Sequence, residues 1–210
     1  MTALSIIALA KSYRAGTPGC FATATVLRHA SLTVWPGEIV AVEGNRGSGR
    51  STLLRCAAGL LKPDAGSVLW QDSRAASGGR VAYVGAEQEH PAESRGRLAR
   101  GVDLYTRVEQ AIVHEHGVLL VDDLPSVGAL ECRMVMWMLR RRAASGIAIL
   151  VAADDAIAGA SAVSRVVTLE DGTLVQRRKR SAARIAASSC DSRARASARS
   201  TYGRSLRSPQ

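Results

Sequence analysis

Residues 44–51 read Gly-Asn-Arg-Gly-Ser-Gly-Arg-Ser, between a short apolar run, Glu38–Glu43, and a helix-forming stretch over roughly Ser51–Leu60. This strand, glycine loop and helix in succession constrain the fold more than any other feature. Glycines let the backbone bend so that several N–H groups converge on one point. A helix beginning there adds unpaired donors and a partial positive charge. Together they make a cradle for a di- or triphosphate. The eight positions follow the pattern G-x-x-x-x-G-K-[ST], with arginine where lysine is expected. A glycine-rich turn before an unrelated helix is the plainer explanation of such a loop taken alone. The flanking strand and helix weigh against it.

The arginine has chemical consequences. Lysine is a compact charge on a flexible stem that reaches between the β- and γ-phosphates, whereas arginine is a planar, bulkier fork. Arg50 still neutralises phosphate charge, but binding is expected to weaken and transition-state stabilisation to weaken more. Ser51 offers a hydroxyl to Mg²⁺. Downstream, the apolar run Val118–Val121 ends in Asp122 and Asp123. In a phosphate-loop protein the first carboxylate orients Mg²⁺, usually through water, and the second polarises the attacking water. Two acids after a strand usually mark only a solvated strand end. The upstream loop gives the pair its meaning.

The rest of the chain reads as alternating strands and helices. Strands are expected at 3–9, Val26–Val34, Glu38–Glu43, Ser67–Trp70, Val81–Val84, Val118–Val121, Ile147–Ala152 and Val166–Leu169. Gly16, Pro18 and Gly19 mark a loop, and Glu170-Asp171-Gly172 a turn. Cys132–Ala144 reads as a helix with Met134, Trp137 and Met138 near one face. The 210 residues and 47% hydrophobic content suit one α/β domain. No apolar run approaches the ~18 residues of a membrane-spanning helix, and the N-terminus has no signal-peptide pattern, so a cytoplasmic location is expected. Cys20, Cys56, Cys132 and Cys190 have no metal-ligand spacing and read as free thiols, while His114 and His116 read as a surface turn. The net charge of +10 is concentrated. Residues 177–210 hold ten basic side chains and one acid, a net +9, which leaves +1 for residues 1–176. The expected organisation is a folded domain over 1–176 and a basic, disordered tail over 177–210.

Taken in chain order, these segments resemble the ATP-binding domain of ABC transporters. Lys11-Ser12-Tyr13 resembles its opening, and Ser31–Glu38 the approach to the phosphate loop. Ser51–Arg55 and Gly59–Val68 continue the likeness, Val118–Asp123 is similar to the Walker B strand, and Val166–Gly172 to the closing hairpin. The resemblance implies a P-loop NTPase fold of ABC ATPase type that binds ATP and Mg²⁺. It places Tyr13 as the adenine platform and Gly44, Asn45, Arg46, Gly47, Ser48, Gly49, Arg50, Ser51 and Thr52 around the phosphates. It makes Ser51 and Asp122 the Mg²⁺ residues, and Asp123 the candidate for water activation.

Departures from the family pattern fall on γ-phosphate chemistry. Ala86 stands at the Q-loop glutamine, with Gln88 two residues on. The signature motif falls on Leu98-Ala99-Arg100-Gly101-Val102, keeping only Leu98 and Gly101. Ala153 stands at the switch histidine. Asp123 replaces a glutamate and is shorter by roughly 1.5 Å, a misplacement that can cost about a hundredfold in rate. Few residues separate Ala86 from Leu98, so the helical subdomain is shortened. The resemblance therefore implies an ATP-binding subunit with weak or absent hydrolysis. Its partners would be a second ABC ATPase subunit, head to tail, and a membrane permease. The alternative is a non-transport nucleotide sensor whose tail contacts anionic lipid or nucleic acid.

Overall fold

The computed structural model describes residues 3–17, 20–70, 81–85, 104–113, 116–122, 124, 128–158 and 160–177. A long hairpin, β1 (Leu4–Thr17) and β2 (Cys20–Val34), leads into β3 (Ile39–Glu43) and α1 (Arg50–Ala57). Then follow β4 (Ala65–Trp70), β5 (Val81–Val84), α2 (Leu104–Val113), β6 (Val118–Val121) and α3 (Ala129–Ala144). The chain continues through β7 (Ala148–Ala152), α4 (Asp155–Ala158), β8 (Arg165–Glu170) and β9 (Thr173–Arg177). The described strands form a three-stranded sheet, β2-β1-β4, and a six-stranded sheet, β5-β6-β7-β3-β8-β9.

The central strands are apolar throughout because both faces of the larger sheet are covered. In β3, Val40 and Val42 join the core beneath α1, while Ile39 and Ala41 join the opposite core with α2 and α3. In β6, Val118 and Leu120 face the first core, and Leu119 and Val121 the second. This two-sided burial is the physical origin of continuous Val/Ile/Leu runs in parallel strands. Strands β5, β6, β7, β3 and β8 run parallel, with Val84 beside Val121, Val121 beside Val151, and Ala152 beside Val42. Their carboxyl ends therefore share one edge. At that edge Asp122 donates its backbone N–H to the Val84 carbonyl (2.7 Å), and Ala153 donates to that of Val42 (2.9 Å).

Several elements differ from the sequence reading. Gly16, read as part of a loop, is paired within the hairpin: β1 and β2 stay in register to Thr17–Cys20, and residues 18–19 between them lie outside the described residues. The register slips between Ile6 and Leu9, between Leu9 and Lys11, and between Lys11 and Ser12. Ala8 (φ 49°) and His29 (φ 53°) take left-handed conformations there, the local distortion that bulges introduce. Helix α1 stops at Ala57, because Gly59 adopts φ 74° and its N–H turns back to the Cys56 carbonyl. Helix α2 has no counterpart in that reading. In α3, Met138 is buried while Met134 and Trp137 are exposed, so the three do not share one environment. The tail proposed for residues 177–210 lies outside the described residues from 178 onward.

Candidate functional site

The glycine loop occupies the carboxyl edge of β3. Gly47 (φ 84°) and Gly49 (φ 102°) are left-handed, conformations that other residues adopt only at a steric cost. Between them, the Ser48 N–H returns to the Asn45 carbonyl (3.0 Å). The loop is tightly closed underneath. A Cβ on Gly44 would lie 2.4 Å from Ser48 Oγ and 2.9 Å from the Leu169 carbonyl, and one on Gly49 would lie 2.4 Å from Val26 Cγ1. Gly49 caps α1, yet no side chain caps its first turn and no acid stands in it. The leading amides of that helix thus have no side-chain competitor for an anion. Asn45, Arg46 and Gly47 are exposed, and Ser48 Oγ is buried without a hydrogen-bond partner. These features fit a phosphate group.

Arg50 begins α1 and turns across the sheet edge. Its Nη1 donates to the Ala153 backbone carbonyl at 2.5 Å. Ala153 is fully buried at the end of β7, the strand lying between β3 and β6. Arg50 and Ala153, which the sequence reading set at the lysine and histidine positions, are therefore in direct contact through side chain and backbone. The sequence places them 103 residues apart, and nothing in the pattern signals the contact.

Asp122 follows β6 and is 6% exposed. Two strand spacings, roughly 10 Å, separate the β3 and β6 ends. Ser51, exposed in the first turn of α1, and Asp122 thus belong to the same edge. Tyr83 on β5 donates its hydroxyl to Asp122 Oδ2 (3.1 Å). Burial, reinforced by the Asp122 charge, raises the Tyr83 pKa, so this donor keeps its proton. The sequence signal for it was a tyrosine within an apolar strand, whose hydroxyl needs a partner once buried. Among the described residues no group of three His, Cys, Asp or Glu side chains is placed to hold a metal ion. Ser51 with Asp122 remains a donor set suited to Mg²⁺, which commonly takes one or two carboxylates and completes its shell with substrate phosphates and water.

Tyr13 lies on the hairpin arm, 40% exposed, with its hydroxyl 3.4 Å from Thr52 Oγ1 on α1. Asp64, which the sequence reading left without a role, ties that arm to the loop after α1. Its carboxylate accepts from Lys11 Nζ (2.8 Å) and from the Ser12 N–H (2.7 Å), while its own N–H donates to the Ala10 carbonyl (2.9 Å). The Lys11 hydrogen bond and the Ser12 N–H hold the Asp64 carboxyl below its ordinary pKa. Arg107 of α2 donates to the Gly85 carbonyl (2.6 Å) at the end of β5. Ala86, Gln88, the segment Leu98–Val102 and Asp123 lie outside the described residues.

A glycine cradle at the carboxyl ends of parallel strands, with a carboxylate two strands away, is the layout of a P-loop fold. Residues 27–126 match the ABC transporter family. An aliphatic sulfonates import ATP-binding protein of Albidiferax ferrireducens is 28% identical over 193 residues, covering 73% of this chain and 69% of that protein. A methionine import ATP-binding protein of Chlamydia abortus is 44% identical over 69 residues, covering 28% of this chain and 20% of that protein. A nucleotide-free ATP-binding cassette from an ABC transporter shares the fold, with a TM-score of 0.65 at 15% identity, over 86% of this chain and 92% of that one. The fold is that of an ABC-transporter ATP-binding cassette, and in sequence the chain resembles the ATP-binding subunits of import systems. Among the described residues no helix is long and apolar enough to cross a membrane.

Proposed function

We propose that this chain is a cytoplasmic ATP-binding subunit that holds Mg-ATP at Gly44–Thr52 and hydrolyses it weakly or not at all. Tyr13 stacks on adenine, Ser51 and Asp122 hold Mg²⁺, and Asp123 is the remaining group for water activation. The observation that carries this reading is the Arg50–Ala153 contact. The cation that should attend the β- and γ-phosphates is directed instead to a backbone carbonyl of its own chain. A hydrogen bond from a charged donor is worth about 1.5–3 kcal/mol. Nucleotide must displace that bond or bind without the charge, and either route weakens γ-phosphate stabilisation.

A subunit of this kind would work beside an active ATPase partner and a membrane permease, contributing a site that holds ATP without rapid turnover. Arg50→Lys tests the reading. A lysine ammonium restores a compact charge on a flexible stem. Mg-ATP affinity, measured by calorimetry, should tighten about tenfold, the equivalent of 1.4 kcal/mol. Unchanged or weaker affinity would remove the role given to the contact.

A further inference from the structure

Helix α3 buries Val135, Met136, Met138, Leu139 and Ala143 against the sheet. Its outward arc is unusual. Leu130, Met134 and Trp137, spaced i, i+4 and i+7, form one stripe and are 72%, 43% and 59% exposed. Arg133, Arg140 and Arg141 are also exposed along this arc, and the Arg141 guanidinium stacks 5.1 Å from the Trp137 ring centroid. The only acid in the helix, Glu131, is turned toward α2, where it accepts the Tyr105 N–H (3.2 Å). Neighbouring α2 adds one exposed acid, Glu109. A second exposed tryptophan, Trp35 (51%), stands in the turn whose Gly37 approaches the Ala143 carbonyl at the end of α3.

Solvated helices rarely present Leu, Met and Trp in line beside three exposed arginines. Apolar anchors with a cationic rim match an anionic lipid surface, where the ring sits at headgroup level and the charges meet phosphates. Pairing two copies of this face would set arginines against arginines, so charge disfavours self-association. The chain also carries ten basic side chains and one acid over residues 177–210, a second attraction of the same sign. Two weak signals are what stable surface attachment requires.

We propose that the outward arc of α3 is a docking surface for anionic phospholipid, seated through Leu130, Met134 and Trp137 and steered by Arg133, Arg140 and Arg141. The test uses the full chain with vesicles of phosphatidylcholine alone, or mixed with phosphatidylglycerol. The tail would bind anionic vesicles by charge, so the readout must belong to α3. The Trp137 emission, taken as the difference between wild type and Trp137→Phe, should shift to the blue on the mixed vesicles only. It should also be quenched there by brominated acyl chains. Leu130→Ser with Met134→Ser keeps every charge and, at exposed positions, should leave the melting temperature unchanged while reducing partition about tenfold. Trp137 emission indifferent to phosphatidylglycerol would overturn the proposal. So would equal partition of wild type and double variant, which assigns the binding to the tail. A lipid-independent dimer that buries Trp137 would give the face to a second copy and would equally overturn it.

Discussion

Arg50 meets Ala153 because a guanidinium outreaches an ammonium and because β7 ends between the loop and Asp122. Changes at the loop itself should be read through backbone geometry. Gly49→Ala places a Cβ against Val26 at φ 102°, so it should cost about 1–3 kcal/mol in urea unfolding and weaken nucleotide binding as well. Gly47 has open space around it, so only its φ of 84° constrains it. Gly47→Ala should therefore be the milder change by the same assay. Cys56, buried in α1, has its thiol pKa pushed up to about 11 by burial. Alkylation at pH 8 should leave it unmodified in the native protein and label it on unfolding. The cradle was legible in the sequence because its glycines are required by local conformation, which a pattern records. The Arg50 contact was not, since it joins residues far apart through a carbonyl that any residue at position 153 would supply.

Elements differ in legibility for the same reason. Strands β3, β6 and β7 announced themselves because both faces are buried, leaving no polar interruption. The outer half of the hairpin gave no such signal: Ala22, Thr23, Ala24 and Thr25 are all exposed. Its position depends on Asp64. Asp64→Asn should loosen the arm, lower Mg-ATP affinity through Tyr13, and leave the core cooperative in unfolding. The pH dependence follows from the shifts at both partners. The Asp64 carboxyl is depressed below 3.8, so its contribution is present above that value and lost as pH falls below it. The Lys11 amine, hydrogen-bonded to Asp64, is raised above 10.5, so its contribution is present below 10.5 and lost as pH rises through the raised value. The stability gap between wild type and Asp64→Asn should be flat between those limits and close at the acidic end. Within α3, Leu139→Ala should cost about 2–5 kcal/mol, since that side chain is fully buried. Trp137→Ser should change stability by less than about 0.5 kcal/mol in buffer, as an exposed side chain.

At the scale of the molecule, the parallel strands of one sheet bring the loop, Arg50, Ala153, Asp122 and the Gly85 end of β5 to a single edge. The hairpin arm adds Tyr13 beside α1. In the function proposed above, this layout keeps what holds a nucleotide, while the positions that would act on the γ-phosphate carry other residues. If the domain ends near Arg177, a chain truncated there should melt at the same temperature as the full chain and bind Mg-ATP equally well. The most direct test measures Mg-ATP binding and phosphate release on one sample of the full chain. Saturable binding with turnover far below about 1 s⁻¹, the low end for ordinary enzymes, is the expected result. Turnover at tens per second, or no saturable binding at all, would contradict it.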